Sequence, residues 1–414
     1  MDQNGSSPVS QSIEVRCCIV GGGPAGMMLG YLLARAGVPV LLLEKHRDFL
    51  RDFRGDTIHP STLELMHELG LLEDFLKLPH QEAHQLSGQI GDTLLTLADF
   101  SHLPTHCKFI ALMPQWDFLN FLAERAQRLP AFALKTEAEA TALIRDGERV
   151  TGVCVQTPQG PLEIHCDLLV AADGRHSVMR KQAGLEVMEL GAPIDVLWMR
   201  LSRQADDPEQ TFGRIDAGRL MVMLNRGDYW QCAFVIRKGG YQEIRERGLP
   251  AFRAEVSGLV PHLRGRVEEL RSWDDIKLLT VAVDRLRHWQ LPGLLCIGDS
   301  AHAMSPIGGV GVNLAVQDAV AAANLLAGPL LDGAPSFDDL RAVQERREWP
   351  ARMMQRVQIL VQNNVISRVL ASQSRPKPPW LVRQFGRSPL LQRLPARLVG
   401  MGFRPEHVRS PRAG

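Results

Sequence analysis

The sequence lacks any organised use of cysteine. Its 7 cysteines are an odd number, and none stands in a C-x-x-C or metal-ligand spacing. That excludes a disulfide framework and a zinc site as organising features, and leaves reduced core thiols: Cys17, Cys18, Cys154, Cys232 and Cys296 all sit in apolar, strand-like runs. No sign of charge dominates either. With 47 Lys plus Arg against 46 Asp plus Glu, the formal net charge is +1, so nothing global points to nucleic acid or an acidic partner. Long hydrophobic runs are scarce: Val38 to Leu43 is too short for a bilayer, and Ala315 to Leu331 is broken by polar residues. No integral membrane segment is therefore expected. The first dozen residues are polar, with no basic stretch before an apolar one, so they read as a tail and not a signal peptide, and a cytoplasmic protein is expected.

Glycine, by contrast, is placed with purpose. The strand-like Val15 to Val20 runs into Gly21-Gly22-Gly23-Pro24-Ala25-Gly26, a G-x-G-x-x-G that opens a helix ending at Gly37. Gly21 permits the tight turn, Gly23 lets a pyrophosphate approach bare backbone, and Gly26 lets helix and strand pack closely. The free N–H groups at the start of the helix, beside Pro24 and Ala25, add an anion site. A second apolar strand, Val38 to Leu43, ends in Glu44 and Lys45. A carboxylate at that tip suits the hydroxyls of an adenosine ribose.

A second ligand-facing strand end follows at Asp167 to Ala172, which leads into Asp173-Gly174-Arg175-His176-Ser177, with Arg180 beyond. The third is Leu294 to Ile297, then Gly298-Asp299-Ser300-Ala301-His302, then a new glycine loop, Pro306-Ile307-Gly308-Gly309-Val310-Gly311-Val312-Asn313, feeding a small-residue helix. Two anion-friendly nests some 270 residues apart cannot hold one pyrophosphate. An extended cofactor, FAD more readily than NAD alone, accounts for both.

Between these motifs, Ser61 with Glu64 predicts a capping box. Arg54 is the best-placed extra cation for a pyrophosphate, and Gln115 opens a helix with its amide in the first turn. From Ala140 to His165 the pattern predicts a small antiparallel sheet around the Arg145-Asp146-Gly147-Glu148 turn. Residues 186 to 283 are strand-rich, and Trp198, Met199, Met221, Met223 and Trp230 predict an adaptable apolar pocket wall, shared with plain core. Phe337 to Ala371 predicts long helices interrupted at Pro350. The tail from Arg375 to Arg412 is basic, with Glu406 its only acid, and Leu390 to Leu398 is amphipathic. That stretch could pack back on the body, join a dimer or make peripheral contact with an anionic membrane.

Taken together and in this order, the three motifs resemble the class A flavoprotein monooxygenases, the group typified by para-hydroxybenzoate hydroxylase and the ubiquinone-pathway hydroxylases. The likeness covers roughly residues 13 to 330. It implies an α/β fold: a Rossmann-like FAD-binding domain of the GR2 type, with an inserted β-sheet substrate domain and a helical C-terminal segment. The corresponding division is 13–78, 106–185 and 279–329 for FAD, 79–105 and 186–278 for substrate, and 330–414 for the C-terminal helices and basic tail. FAD would be held by Gly21, Gly23, Pro24, Ala25, Gly26, Glu44, Lys45, Arg54, Gln115, Asp173, Asp299, Pro306, Gly309, Gly311, Val312 and Asn313. Asp173, Gly174, Ser177 and Arg180 match the family's D-G-x-x-S-x-x-R, and Thr57 would lie beside the ring. Ser300 departs from the family's usual alanine, a change that a small hydroxyl accommodates.

The activity so implied is a hydroxylation of an aromatic or polyketide-like small molecule, using O2 and NADPH or NADH, through a flavin C4a-hydroperoxide. No side chain is marked as a catalytic base. Thr57, His59, Arg200, Arg214, Met223, Trp230, Gln231 and Pro306 are the pocket candidates. The partners implied are a small aromatic substrate and O2, in a monomer or homodimer. An FAD-dependent reductase of an isoprenoid and a non-enzymatic binding module share the same core. The module would have lost the Asp299 motif and second nest, which are intact here. A halogenase would need a W-x-W-x-I-P segment that is missing.

Overall fold

The structure is a computed structural model that describes residues 11–50, 57–208, 211–372, 374 and 388–413. Its central sheet runs in the order Gln290–Leu291, Leu294–Cys296, Gly160–Ala171, Gln11–Val20, Val40–Leu43, Phe132–Lys135. Gly160–Ala171 is one continuous strand, where the pattern predicted two. It lies parallel to Gln11–Val20 along its length, while its other edge is shared. The first half of that edge takes Arg149–Thr157 antiparallel, and the end takes Leu294–Cys296 parallel. A single strand can do this because its alternating outer half and wholly apolar inner half suit two different environments. Helix Pro24–Arg35 packs on this sheet between Gln115–Ala126 and Gly311–Asp332. At Gly30 an added Cβ would come 2.9 Å from Phe132, so the helix lies close to the strands.

The second sheet has seven strands, in the order Lys277–Leu279, Ile194–Ser202, Tyr229–Arg237, Arg219–Asn225, Phe212–Asp216, Gln85–Ile90, Thr93–Asp99. The parallel pairing of Phe212–Asp216 with Gln85–Ile90 joins the early strands to the later ones. The register sorts side chains by face, since residues directly opposite share one. Met199, Cys232, Met223 and Phe212 form one row, and with Met221, Trp230 and Phe234 they pack under helices Tyr241–Glu246 and Leu249–Leu259. On the other face, Val196, Trp198, Val222, Ala233 and Val235 pack with Ile307 of the second glycine loop and with Ile359 and Ile366.

Three local expectations change. Helix Pro60–Glu68 starts two residues early, with His59 as its N-cap and no side-chain cap, because Pro60 supplies a preset first turn. Ser61 is buried, and Glu64 instead accepts hydrogen bonds from His106. Pro350 does not interrupt Phe337–Val361, which is one helix started by a Ser336/Asp339 capping box. The missing N–H is offset by burial of Leu340, Val343, Pro350, Ala351 and Met354 on one side. Gly311–Asp332 lies within the one described segment, Ile307–Asp332, that is long and apolar enough to cross a membrane. Most of it is buried within the protein's own core.

Candidate active site

Strand register brings the motifs to one edge. Leu43, Val20, Ala171 and Cys296 are successive partners across the central sheet. Glu44, Gly21, Asp173 and Asp299 therefore emerge side by side from the C-terminal ends of four adjacent strands, the edge where open α/β sheets bind ligands. At Gly21 (φ +109°) a Cβ would strike the carbonyl of Ala172, and at Gly26 it would strike that of Gly21. At Gly23 it would meet no protein atom within 4 Å. Two of these glycines thus serve the fold, and the third leaves its backbone open to a ligand. Glu44 is buried and oriented: Oε2 accepts from Gly22 N at 3.0 Å and Oε1 from His46 N at 3.0 Å. Lys45 beside it is exposed. Pro24 opens the helix, and the Cβ of Ala25 comes 3.0 Å from the Cβ position of Gly298, so the first and third motifs touch.

Asp173 caps the short helix Val178–Gln182, with Oδ2 accepting from Val178 N at 2.8 Å and Met179 N at 3.1 Å. Its Oδ1 is buried without a hydrogen-bond partner, and burial raises the carboxyl above its ordinary range. Arg180 reaches from this loop to Asp284 and to the carbonyl of Ser300, both at 3.3 Å. Arg175 lies 3.5 Å from Asp299, whose side chain is 30% exposed.

The second glycine loop is assembled from distant pieces. Gly308 and Gly309 have φ of +77° and +63°, and a Cβ on Gly309 would collide with Thr57 Oγ1. Thr57 Oγ1 donates to Gly309 O at 3.0 Å. The side chain of Asn313 is fully engaged. Its Oδ1 accepts from His59 N at 2.9 Å and Thr62 Oγ1 at 2.7 Å, and its Nδ2 lies 3.3 Å from the carbonyls of Thr57 and Gly309. At Gly311 a Cβ would again meet nothing within 4 Å, and helix Gly311–Asp332 starts there with its N–H groups toward the loop. Val312 is buried in the core, and half-buried Pro306 precedes the turn. His59 is wholly buried, with Nδ1 2.7 Å from Val399 O and Nε2 buried without a partner. Burial pulls its pKa down to about 4, so the ring is neutral and Nδ1 is the donor.

A buried ionic chain beneath the third motif has no counterpart in the sequence reading. Asp318, fully buried, accepts from Gly298 N at 3.0 Å, His302 Nε2 at 2.6 Å and Arg347 Nε at 3.0 Å. Burial alone would raise this carboxyl, but His302 and Arg347 beside it hold it below the ordinary range. Arg347 continues to Glu406 at 3.6 Å, and Glu406 pairs with Arg346 at 2.7 Å. The signal available in the sequence was Gln317-Asp318, two polar residues within an otherwise apolar, small-residue helix.

Among the pocket candidates, Thr57, His59 and Pro306 gather at the second loop. Met223, Trp230 and Arg214 do not line a pocket there: the strand register puts them on the far face, where Met223 and Trp230 are fully buried under the helices. Trp230 Nε1 donates to Asp207 Oδ2 at 2.9 Å. One residue of register separates the two faces, which composition cannot resolve. Arg200 is exposed, stacked on Tyr229 at 3.9 Å and 3.5 Å from Asp228, in an open depression of about 570 Å³ whose lining includes no glycine-loop residue. Gln231 is buried and accepts from Arg226 Nε at 3.1 Å. Another depression of about 450 Å³, lined by Gln81, His84, Gln85, Leu112, Arg203 and Asn225, lies one strand from Thr57, since Leu112 pairs with both Thr57 and Gln81. Gln115 is half-buried at the first turn of its helix. Arg54 lies outside the described residues.

A family model described as an FAD binding domain matches residues 14–357. The chain belongs to this family. Among curated relatives, 6-methylpretetramide 4-monooxygenase of Streptomyces rimosus is 34% identical over 382 residues, covering 91% of this chain and 90% of the relative. The 12-dehydrotetracycline 5-monooxygenase/anhydrotetracycline 6-monooxygenase of the same species is 28% identical, covering 73% of this chain and 60% of that longer protein. The fold is that of PqsL, a probable FAD-dependent monooxygenase from Pseudomonas aeruginosa (TM-score 0.73, 21% identity, 86% of this chain and 98% of that one). It is also that of the OxyS anhydrotetracycline hydroxylase from Streptomyces rimosus (TM-score 0.72, 23% identity, 94% and 76%).

This family member is an FAD-dependent monooxygenase with NAD(P)H as its reductant. Its residues fit the cofactor: bare backbone at Gly23 and Gly311, an oriented carboxylate at Glu44, and the part-exposed Asp299 lie along or beside one sheet edge. When bound, FAD supplies the redox chemistry and the activation of O2.

Proposed function

We propose that this enzyme hydroxylates an electron-rich aromatic or polyketide-like ring held between the second glycine loop and the near face of the seven-stranded sheet. The observation that carries the reading is the packing of Ile307, within that loop, against the Val196, Trp198 and Val222 face. That packing supports a reactive end of the cofactor site lying against a wide apolar wall, which would keep water away. Gly23 and Glu44 take the adenosine and pyrophosphate side, and Asp299 the chain linking it to the ring. Backbone N–H groups from Gly309 to Asn313, with the dipole of their helix, favour negative charge on the ring side. Asn313 acts through Thr57, His59 and Thr62 by fixing the loop. The tetracycline-type names of the relatives support a polycyclic phenolic substrate. This reading divides the chain into 13–78, 106–185 and 279–329 for cofactor, 79–105 and 186–278 for substrate, and 330–414 as a covering segment.

The test is NAD(P)H oxidation and O2 uptake by the FAD-loaded protein against a panel of polycyclic phenols. A compound that stimulates both and returns one oxygen atom heavier supports the proposal. Stimulated flavin reduction by such compounds with no oxygen insertion refutes it in favour of a reductase.

A further inference from the structure

The C-terminal helix Pro389–Met401 is turned the unexpected way round. Its inner face consists of Gln392, Ala396 and Gly400, which pack on Phe100, Leu103 and Pro60. At Gly400 an added Cβ would come 2.7 Å from Leu103, so only a small inner face lets the helix seat this closely. Three of its four leucines point out instead, while Leu398 packs inward. Leu390 is 69% exposed, Leu391 49% and Leu394 73%, and Arg393 and Arg397 flank them, also exposed. An outward leucine ridge on a seated helix costs solubility without adding to the core, so it calls for an external partner.

From this we infer that the outer face of the helix docks on an anionic lipid surface. Between 375 and 405 the sequence holds seven basic residues and no acidic one. Arginines beside exposed leucines on one helix are what an anionic headgroup layer attracts and its acyl boundary receives. A second copy of the chain fits worse, because a two-fold contact centred on this face would bring the arginines of one copy, Arg393 and Arg397, up against those of the other. Docking has a positional consequence. The same helix offers Val399 O to His59 and sets the Val399 side chain 4.0 Å from the Cβ position of Gly308. The second glycine loop would then lie roughly one helix diameter, about 10 Å, from the lipid. The inference rests on this helix alone and not on the substrate proposal.

The experiment is vesicle flotation of the full-length, FAD-loaded protein with phosphatidylcholine alone and with phosphatidylcholine containing phosphatidylglycerol. We expect binding to the anionic vesicles at least about tenfold above the neutral ones, reversed by salt. The double variant Leu390→Ser/Leu394→Ser should lose about tenfold or more of it at unchanged FAD content and thermal stability. Arg393→Gln/Arg397→Gln should weaken it and flatten the salt dependence. Absence of flotation at low salt overturns the proposal. So does flotation that the leucine variant leaves intact, or a solution dimer that the leucine variant dissociates, which would give the face to a second copy.

Discussion

Both glycine loops feed the N-terminus of a long helix, but they are held in different ways. The first is restrained mostly within some twenty residues, Gly26 against Gly21 and Gly22 on the carboxylate of Glu44, with one distant contact, Gly21 against Ala172 of the neighbouring strand. The second takes its shape from residues some 250 positions away, through Thr57 Oγ1 on Gly309 O and through Asn313 on His59 and Thr62. The C-terminal helix then closes over it at Val399. A nest made of local contacts is written into a short motif. A nest made of distant ones depends on the whole fold, and should fail when a remote part is altered.

That contrast can be broken most severely beneath the third motif. Asp318→Ala removes the shared acceptor of Gly298, His302 and Arg347 and leaves a buried guanidinium uncompensated. We expect a loss of about 3–5 kcal/mol in urea unfolding. Gly26→Ala comes next, because the obstruction is backbone and cannot swing away. It should cost about 3 kcal/mol and abolish the yellow colour of bound FAD.

The third test uses pH. His59 is buried neutral with a pKa of about 4 against an ordinary 6.5. The unfolded chain therefore binds a proton in that interval that the folded one refuses. Stability from this group is complete above about pH 6.5 and falls as pH drops toward 4, by about 2 kcal/mol at roughly pH 5. His59→Gln should flatten that part of the stability profile, and an unchanged profile would show that the ring is not held neutral. The smallest effect on the fold is expected at Gly23→Ala, where no protein atom stands in the way. Thermal stability should shift by less than about 0.5 kcal/mol. FAD affinity, measured by flavin fluorescence, should nevertheless fall about tenfold or more, because the added methyl stands where the cofactor approaches.

Much of the cofactor edge was legible beforehand for a simple reason. Gly26 and Glu44 are fixed by steric and hydrogen-bonding rules acting over some twenty residues, Gly21 stands in the same short motif, and Asp173 and Asp299 each follow a recognisable buried strand. The second sheet was legible as strands but not as faces. Met223 and Trp230 have the composition of a pocket wall, yet a shift of one position in register turns such residues to the opposite side, and register depends on partners far along the chain. Asn313 was expected to face the cofactor through its backbone; that its side chain holds the loop was not legible, because its partners Thr57, His59 and Thr62 lie some 250 positions away. The Asp318 chain went unseen because it joins Gly298 and His302 of the third motif to Arg347 and Glu406 from two later segments.

By itself, then, the sequence determined that this is an α/β protein with a dinucleotide turn and a second nest, and that one extended cofactor joins them. Those conclusions rest on local backbone geometry, which a few glycines and strand ends dictate. Tertiary structure alone decided which face of the second sheet lies against the second glycine loop, what anchors that loop, and that the last helix shows Leu390, Leu391 and Leu394 to the outside. These depend on strand register and on contacts between remote segments, where packing, rather than neighbouring residues, selects the arrangement.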